Sequence, residues 1–397
     1  MSGISSVGAS LNQERLMSNQ TKIQPKNQLR AKDIIAEDLD YICGNLTEEL
    51  GTMAGKNLLI TGGAGFLGYY FVQSVLHWNQ KHEPDQQIPL TVYDNYSRGV
   101  PAWLTDLKDD PTLTLLKHDM TQPLPSDMGD FQYIIHAASI ASPTFYRRDP
   151  IGTMDANVNG LRNLLEYFKN QRDQGKEVGG FLFFSSSEIY GDPTPENIPT
   201  PEDYRGNVSC TGPRACYDEA KRYGETLCVN FAQQYNLPIK SARPFNNYGP
   251  GLKITDRRLL PDFARDIFSG RDITMLSDGS PKRTFCYSAD SITGYYKVLV
   301  KGHAGEAYNI GIETPEISVA ELAEKVVAIS KELFGYEGKV VRKISEDKDY
   351  LVDNPNRRCP VVEKARTHLG YNPTISIDEG LRRSLIWYQD NQEAEDA

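Results

Sequence analysis

The chain has 397 residues, 39% of them hydrophobic and 24% charged, and a formal net charge of −10. That length accommodates two unequal domains around a sizeable core, and the acidic balance argues against a nucleic-acid partner, which needs a basic face. No apolar run on the order of 18 residues suggests a membrane span, no secretory pattern opens the chain, and the cysteines Cys43, Cys210, Cys216, Cys228, Cys286 and Cys359 form no C-x-x-C pair. A reducing, cytoplasmic setting without a disulfide framework or metal site is therefore expected.

Residues 1–30 are polar and rich in Ser, Asn and Gln, and are read as a disordered or loosely packed tail. Ile34, Ile35, Leu39, Ile42, Leu46 and Leu50 then recur at helical spacing, which predicts one amphipathic helix within 31–52, packed on the main domain or on a second subunit. Short apolar runs predict buried strands at 57–60, 90–93, 113–116, 133–136, 181–184 and 239–243, and helical patterns fall at 65–78, 153–170 and 217–235. Such alternation predicts an α/β fold with a doubly wound parallel sheet. It spans 53–250. Beyond Pro250 the pieces shorten and turns multiply, which predicts a smaller C-terminal α/β substrate lobe over 251–397, with the chain crossing between lobes.

The first strand runs into TGGAGFLG at 61–68 and then a helix. Gly62, Gly65 and Gly68 are spaced as G-x-x-G-x-x-G, and Gly63 adds a G-x-G-x-x-G. Glycine is required where a turn needs unusual dihedrals and where backbone approaches a pyrophosphate, and the helix N-terminus offers free N–H groups to it. The context makes this a Rossmann-type dinucleotide site. Asp94, ending the second strand, is placed to accept hydrogen bonds from the adenosine ribose and to repel a 2′-phosphate, so NAD is expected over NADP; Arg98 nearby weighs slightly the other way. Asp119, after the third strand, is either an adenine contact or a turn former.

Tyr217-Asp-Glu-Ala-Lys221 places a phenol and an amine one helical turn apart on one face. A free phenol, with a pKa near 10, is a poor base at neutral pH. A nearby ammonium and a nicotinamide cation favour the phenolate, and Lys221 is also placed to hold the nicotinamide ribose. The preceding strand ends in Ser185-Ser-Ser-Glu188, where Ser186 and Ser187 can bridge a substrate to Tyr217. Glu188 at that strand mouth is costly to bury without a role.

These motifs, with HAAS at 136–139, SSSEIYG at 185–191 and RPFNNYGP at 243–250, resemble the extended short-chain dehydrogenase/reductase family over about 56–387. Within it the chain is similar to the UDP-glucuronate decarboxylases through Ala141-Ser-Pro143, Gly212-Pro-Arg-Ala-Cys-Tyr-Asp218 and Asp353-Asn-Pro-Asn-Arg-Arg-Cys-Pro360. The resemblance implies NAD-dependent conversion of UDP-glucuronate to UDP-xylose through a 4-keto sugar. It implies cofactor contacts at Gly62, Gly65, Phe66, Leu67, Gly68, Asp94, Asn95, Asp119, Met120, Ala137 and Ala138, with Tyr217 and Lys221 at the nicotinamide end. Tyr217, Lys221, Ser186, Ser187, Glu188 and Arg358 are the catalytic candidates. Pro143, Asn246, Arg258 and Arg283 join Glu188 and Arg358 on the nucleotide sugar. A homodimer is implied through the helices at 153–170 and 217–235.

Three other readings stay open on the residues alone. A 4,6-dehydratase acting on an NDP-hexose shares the first oxidation but wants an acid where Ser187 stands, and serine is a far weaker one. A nucleotide-sugar 4-epimerase has no need of Glu188. A non-catalytic NAD-binding sensor or scaffold has no need of Tyr217 and Lys221.

Overall fold

The computed structural model describes residues 29–345, 347 and 352–392; the tail expected over 1–30 lies outside them apart from its last two positions. The apolar run before the glycine cluster forms strand β1 (Leu58–Thr61), every residue of it buried. It is followed by β2 (Leu90–Asp94), β3 (Leu113–Lys117), β4 (Tyr133–His136), β5 (Gly180–Phe184), β6 (Ile239–Pro244) and β7 (Ala307–Ile310). They pair in the order β7-β6-β5-β4-β1-β2-β3, all parallel. Six strands lie where the apolar runs predict them, within a residue or so. β7 was not expected, because its Ala-Tyr-Asn-Ile carries no strong strand signature.

Both faces of the sheet are covered, which explains why its central strands read as continuous apolar runs. Leu58 and Ile60 face a layer containing Phe71, Val75 and Tyr296, while Leu59 and Phe181 face one containing Leu164, Phe168 and Phe231. The first layer holds the helix Phe66–Gln80 that follows the glycine loop, and the second holds Leu161–Asp173 and Ala215–Tyr235. The helix expected at 153–170 is one path with a wider turn in it: Pro150–Asp155, a π-helical turn Ala156–Gly160, then Leu161–Asp173. At that turn Gly160 passes so close to Met120 that a β-carbon on it would sit 3.0 Å from the Met120 carbonyl oxygen.

The single N-terminal helix predicted for 31–52 is two, Ala31–Asn45 and Thr47–Met53, broken at Leu46. Gly44 and Asn45 are weak helix formers. The break lets Leu46, Leu50 and Met53 all reach the core while Glu49 meets Lys297 at 3.0 Å. The first helix carries the fully buried Asp38, which accepts hydrogen bonds from Tyr70 and from Tyr287 (2.6 Å) and pairs with Arg383 at 2.5 Å. Those partners lie on the helix after the glycine loop, on the short strand Cys286–Tyr287 and on the C-terminal helix Ile377–Asn391.

The later chain is built of short pieces. The most consequential is a three-stranded sheet ordered Ile317–Ser318, Lys282–Arg283, Arg357–Arg358, whose register sets Arg283 directly beside Arg358. No helix among the described residues is long and apolar enough to cross a membrane.

Removing Asp38 leaves two buried phenols without their carboxylate acceptor and takes from Arg383 one of its carboxylate partners, Glu379 and Glu37 remaining. Asp38→Ala is expected to cost roughly 3 kcal/mol, read as a lower urea midpoint; a midpoint within error of the parent protein contradicts the clasp.

Candidate active site

The order of the strands reverses at β1, with β2 on one side and β4 on the other, and a cleft opens at the carboxyl ends of these strands, as such switch points require. Its volume is about 690 Å³, and every cofactor, catalytic and substrate candidate named from the sequence lines it.

The glycine loop shapes one end. Gly62 has a φ of +76° and lies so close to β4 that a β-carbon on it would come within 2.6 Å of the Ala138 backbone. A β-carbon on Gly68 would come within 2.0 Å of the Gly63 carbonyl oxygen, so the helix packs backbone to backbone on the loop. The helix starts after Gly65 with no side chain capping its free N–H groups, the arrangement that receives a phosphate. Asp94 accepts hydrogen bonds from the Ala64 N–H (3.0 Å) and the Tyr96 N–H (2.8 Å). Burial raises its carboxyl above the usual range despite those bonds. The Arg98 guanidinium lies 3.7 Å over the Phe145 ring and 4.0 Å from Asp256. Asp119 accepts from the Thr121 N–H at 2.9 Å, closing a turn, and lines the cleft beside Asn95, whose amide is 3.4 Å away. The Ser139 hydroxyl, also in the cleft wall, is buried with no hydrogen-bond partner among the described residues. An uncapped helix start, a loop whose Gly62 and Gly68 leave no room for a β-carbon and an open hydroxyl fit a dinucleotide.

Tyr217 and Lys221 sit on the helix Ala215–Tyr235, in its first two turns. The Tyr217 ring stacks parallel to Tyr146, 5.1 Å between centroids and 7° between planes. Burial pushes its phenol up to about 12, opposed by a hydrogen bond to Ser186 and by the charge of Arg258. Lys221 donates to the Phe184 carbonyl (2.7 Å), and its ammonium lies over the rings of Phe183 and Tyr217, 5.1 and 5.5 Å from their centroids. Burial lowers it to about 7. Burial thus dominates at Tyr217, and favouring the phenolate needs the nicotinamide cation expected beside it as well as the Lys221 ammonium.

The two serines divide their tasks. Ser186 meets Tyr217 and caps the following turn by accepting from the Glu188 N–H at 3.2 Å. Ser187 accepts from Arg358 at 3.0 Å. Glu188 is bound by two guanidiniums, Arg214 and, at 2.9 Å, Arg358. Burial opposes its charge, but Arg214, Arg358 and Arg283 together hold its carboxyl below the usual range. Burial and the nearby Glu188 raise Asp218, a turn along the helix from Arg214, to about 7. Burial, joined by the positive charge of Arg358, lowers Arg283 to about 10; it donates to the carbonyls of Lys282, Asn356 and Pro355. Arg258 is paired with Asp256 and stands over the Phe66 ring, and Asn246, with a φ of +43°, donates to the Thr284 carbonyl at 2.9 Å. Pro143 opens the short helix Pro143–Tyr146 at the cleft wall.

Sequence reading missed Tyr146 and Arg214. Tyr146 had no signal, since its stacking partner is 71 residues away. Arg214 had one: it precedes Tyr217 by three residues, which puts it on the same side of the helix start.

The geometry is matched by known relatives. The NAD dependent epimerase/dehydratase family matches residues 58–311. The chain belongs to that family. Among curated members of it, UDP-glucuronic acid decarboxylase 3 of Arabidopsis thaliana is 37% identical over 327 residues, covering 82% of this chain and 86% of the relative. UDP-glucuronic acid decarboxylase 1 of Xenopus tropicalis is 33% identical over 339 residues, covering 84% and 72%. Among solved structures, an epimerase from Methanothermobacter thermautotrophicus superposes with a TM-score of 0.73 at 26% identity, covering 89% of this chain and 98% of the other. The dTDP-glucose 4,6-dehydratase DesIV of Streptomyces venezuelae, solved with NAD, gives 0.71 at 25% identity over 85% and 98%. This epimerase/dehydratase-family chain thus matches its relatives over most of its length.

Because Lys221 titrates near 7 when folded and near 10.5 otherwise, the unfolded chain binds more protons between those values, and stability rises with pH there. Lys221→Met is expected to unfold at higher urea than the parent at pH 7, with the advantage shrinking as pH approaches 10. Urea titrations across that range check it; a difference that does not change with pH contradicts the burial of the ammonium.

Proposed function

We propose that the protein decarboxylates UDP-glucuronate to UDP-xylose, using NAD that is reduced and reoxidised within one turnover. The observation that carries the reading is Arg358, buried in the cleft and bonded to Ser187 and Glu188, where a neutral hexose offers a guanidinium no opposite charge. The decarboxylase names of the relatives support the same choice.

NAD would lie along the glycine loop with its ribose at Asp94, and when bound it supplies a hydride acceptor and a positive charge beside Tyr217. Tyr217, bonded to Ser186, takes the proton of the C4 hydroxyl as that carbon is oxidised. Arg358 holds the C6 carboxylate, which then stands β to the new ketone. Ser186 and Tyr217 donate to the enolate oxygen that forms as carbon dioxide leaves. A water proton delivered on the Arg358 side takes the place of the lost carboxylate at C5, and Tyr217 returns its own proton to O4 when C4 is reduced again. Asn246, Arg258, Arg283 and Pro143 would contact the nucleotide diphosphate and sugar. Ser187, a hydroxyl where a dehydratase needs a carboxylic acid, is too weak an acid for that role.

The reading extends to the rest of the molecule. Residues 53–250 form chiefly the NAD-binding domain and the later chain the sugar lobe. A homodimer would form through the helices carrying Ile151, Met154 and Tyr223, which are 66%, 42% and 50% exposed. Six free cysteines suit the cytoplasm.

Incubation with UDP-glucuronate and NAD is expected to release carbon dioxide and give a UDP-pentose without net NADH, followed by mass spectrometry and absorbance. Tyr217→Phe should slow this by about 10²-fold or more, and Arg358→Ala should impair turnover far more than UDP binding. Dehydration or epimerisation of a neutral nucleotide hexose, with UDP-glucuronate untouched, overturns the reading.

A further inference from the structure

Glu188 is held by more positive charge than one catalytic arginine supplies. Arg214 donates to Glu188 Oε2, and Arg358 Nη2 lies 2.9 Å from that same oxygen. Behind Arg214, its Nε is 3.7 Å from Asp218 Oδ2. That Nε and Asp218 Oδ1 are both buried without a hydrogen-bond partner among the described residues, though Arg214 is 9% and Asp218 3% exposed. The cluster sets the buried guanidiniums of Arg214, Arg283 and Arg358 against Glu188 and against Asp218, which burial and Glu188 push toward its neutral form, so positive charge is in excess among the buried groups, with the carboxylates of Asp192 and Asp353 exposed at its edge. A buried excess of this kind is unfavourable unless an anion arrives.

An incoming sugar carboxylate meets an obstacle, however, because the guanidinium it needs is already paired with Glu188. Two carboxylates cannot share Arg358 in a low-dielectric site without strong repulsion. The pair has to be exchanged, and Glu188 then requires a cation of its own. Arg214 already supplies one. It stands at the start of the helix that carries Tyr217, so it holds Glu188 without leaving the reacting centre.

We propose that Arg214 is a positioning residue that retains Glu188 while the substrate carboxylate takes over Arg358, and that this exchange selects an anionic sugar over a neutral one. The inference rests on the decarboxylase reading above. Without Arg214, Arg358 is the one direct guanidinium contact left to Glu188 among the described residues, with Arg283 acting at longer range, and Glu188 competes with the uronate for it.

The test is titration calorimetry of the NAD-loaded protein with UDP-glucuronate, UDP-glucose and UDP. All variants carry Tyr217→Phe so that the substrate is not consumed. Arg214→Met is expected to weaken UDP-glucuronate about tenfold or more, in the range for coupled buried charges, and to change UDP-glucose and UDP by less than about twofold, a small effect on the same scale. Arg214→Lys, which keeps the charge, should recover much of the loss. Adding Glu188→Gln to Arg214→Met should restore UDP-glucuronate binding, because the competitor is gone. Glu188→Gln alone should bind it at least as tightly as the parent, and this arm stands even if Arg214→Met does not fold. Equal weakening of all three ligands, additive effects of the two substitutions, or selective loss of UDP-glucuronate in Glu188→Gln overturns the role of Arg214 while leaving decarboxylation by the unmutated protein intact. If the unmutated protein does not decarboxylate UDP-glucuronate, the functional reading fails first and this inference with it.

Discussion

The backbone contact between the glycine loop and β4 governs much of what else the molecule does. Gly62 leaves no room for a β-carbon against Ala138, and Gly68 leaves none against Gly63. These approaches bring β1, the loop and the following helix into one rigid corner at the point where the strand order reverses. The corner leaves helix N–H groups open on one side and the ends of β4 and β5 on the other. A ligand long enough to touch both is thereby brought to Ser186, Tyr217 and Lys221. Every later interaction in the cleft is built outward from that corner.

Charge burial is the second constraint. Lys221 has a carbonyl and two ring faces for company but, among the described residues, no paired carboxylate, and burial weakens its hold on a proton. Tyr217 is likewise pushed away from ionisation. A few ångströms off, Glu188 is kept charged by arginines from separate parts of the chain. The cleft thus combines a neutral-leaning acid–base pair with a strongly cationic patch. That combination suits a substrate whose reacting hydroxyl and carboxylate sit near one another.

Far from this chemistry, Asp38 ties the N-terminal helix to the helix after the glycine loop, to the short strand Cys286–Tyr287 and to the C-terminal helix. Tyr69, next to Tyr70, accepts a hydrogen bond from the Trp387 indole at 3.1 Å, a second link between the same helices. The N-terminal segment is therefore part of the frame that sets the two walls of the cleft relative to each other.

The amino-acid sequence alone determined the alternation of strands and helices, the glycine loop and the Tyr-Lys spacing, because each depends on residues within a few positions of one another. It also pointed to Glu188 and Arg358 through short motifs. Tertiary structure decided the rest. β7 joins the sheet by pairing with β6 rather than by its own composition, and Leu46 breaks the N-terminal helix because the core takes its side chain. Arg283 reaches Arg358 only through the register of two strands whose paired residues are 75 positions apart. Whether Glu188 meets a substrate or an arginine, and whether Tyr217 holds its proton, depends on desolvation and on charges brought together by folding; such energies belong to the packed cleft, not to any segment of the chain.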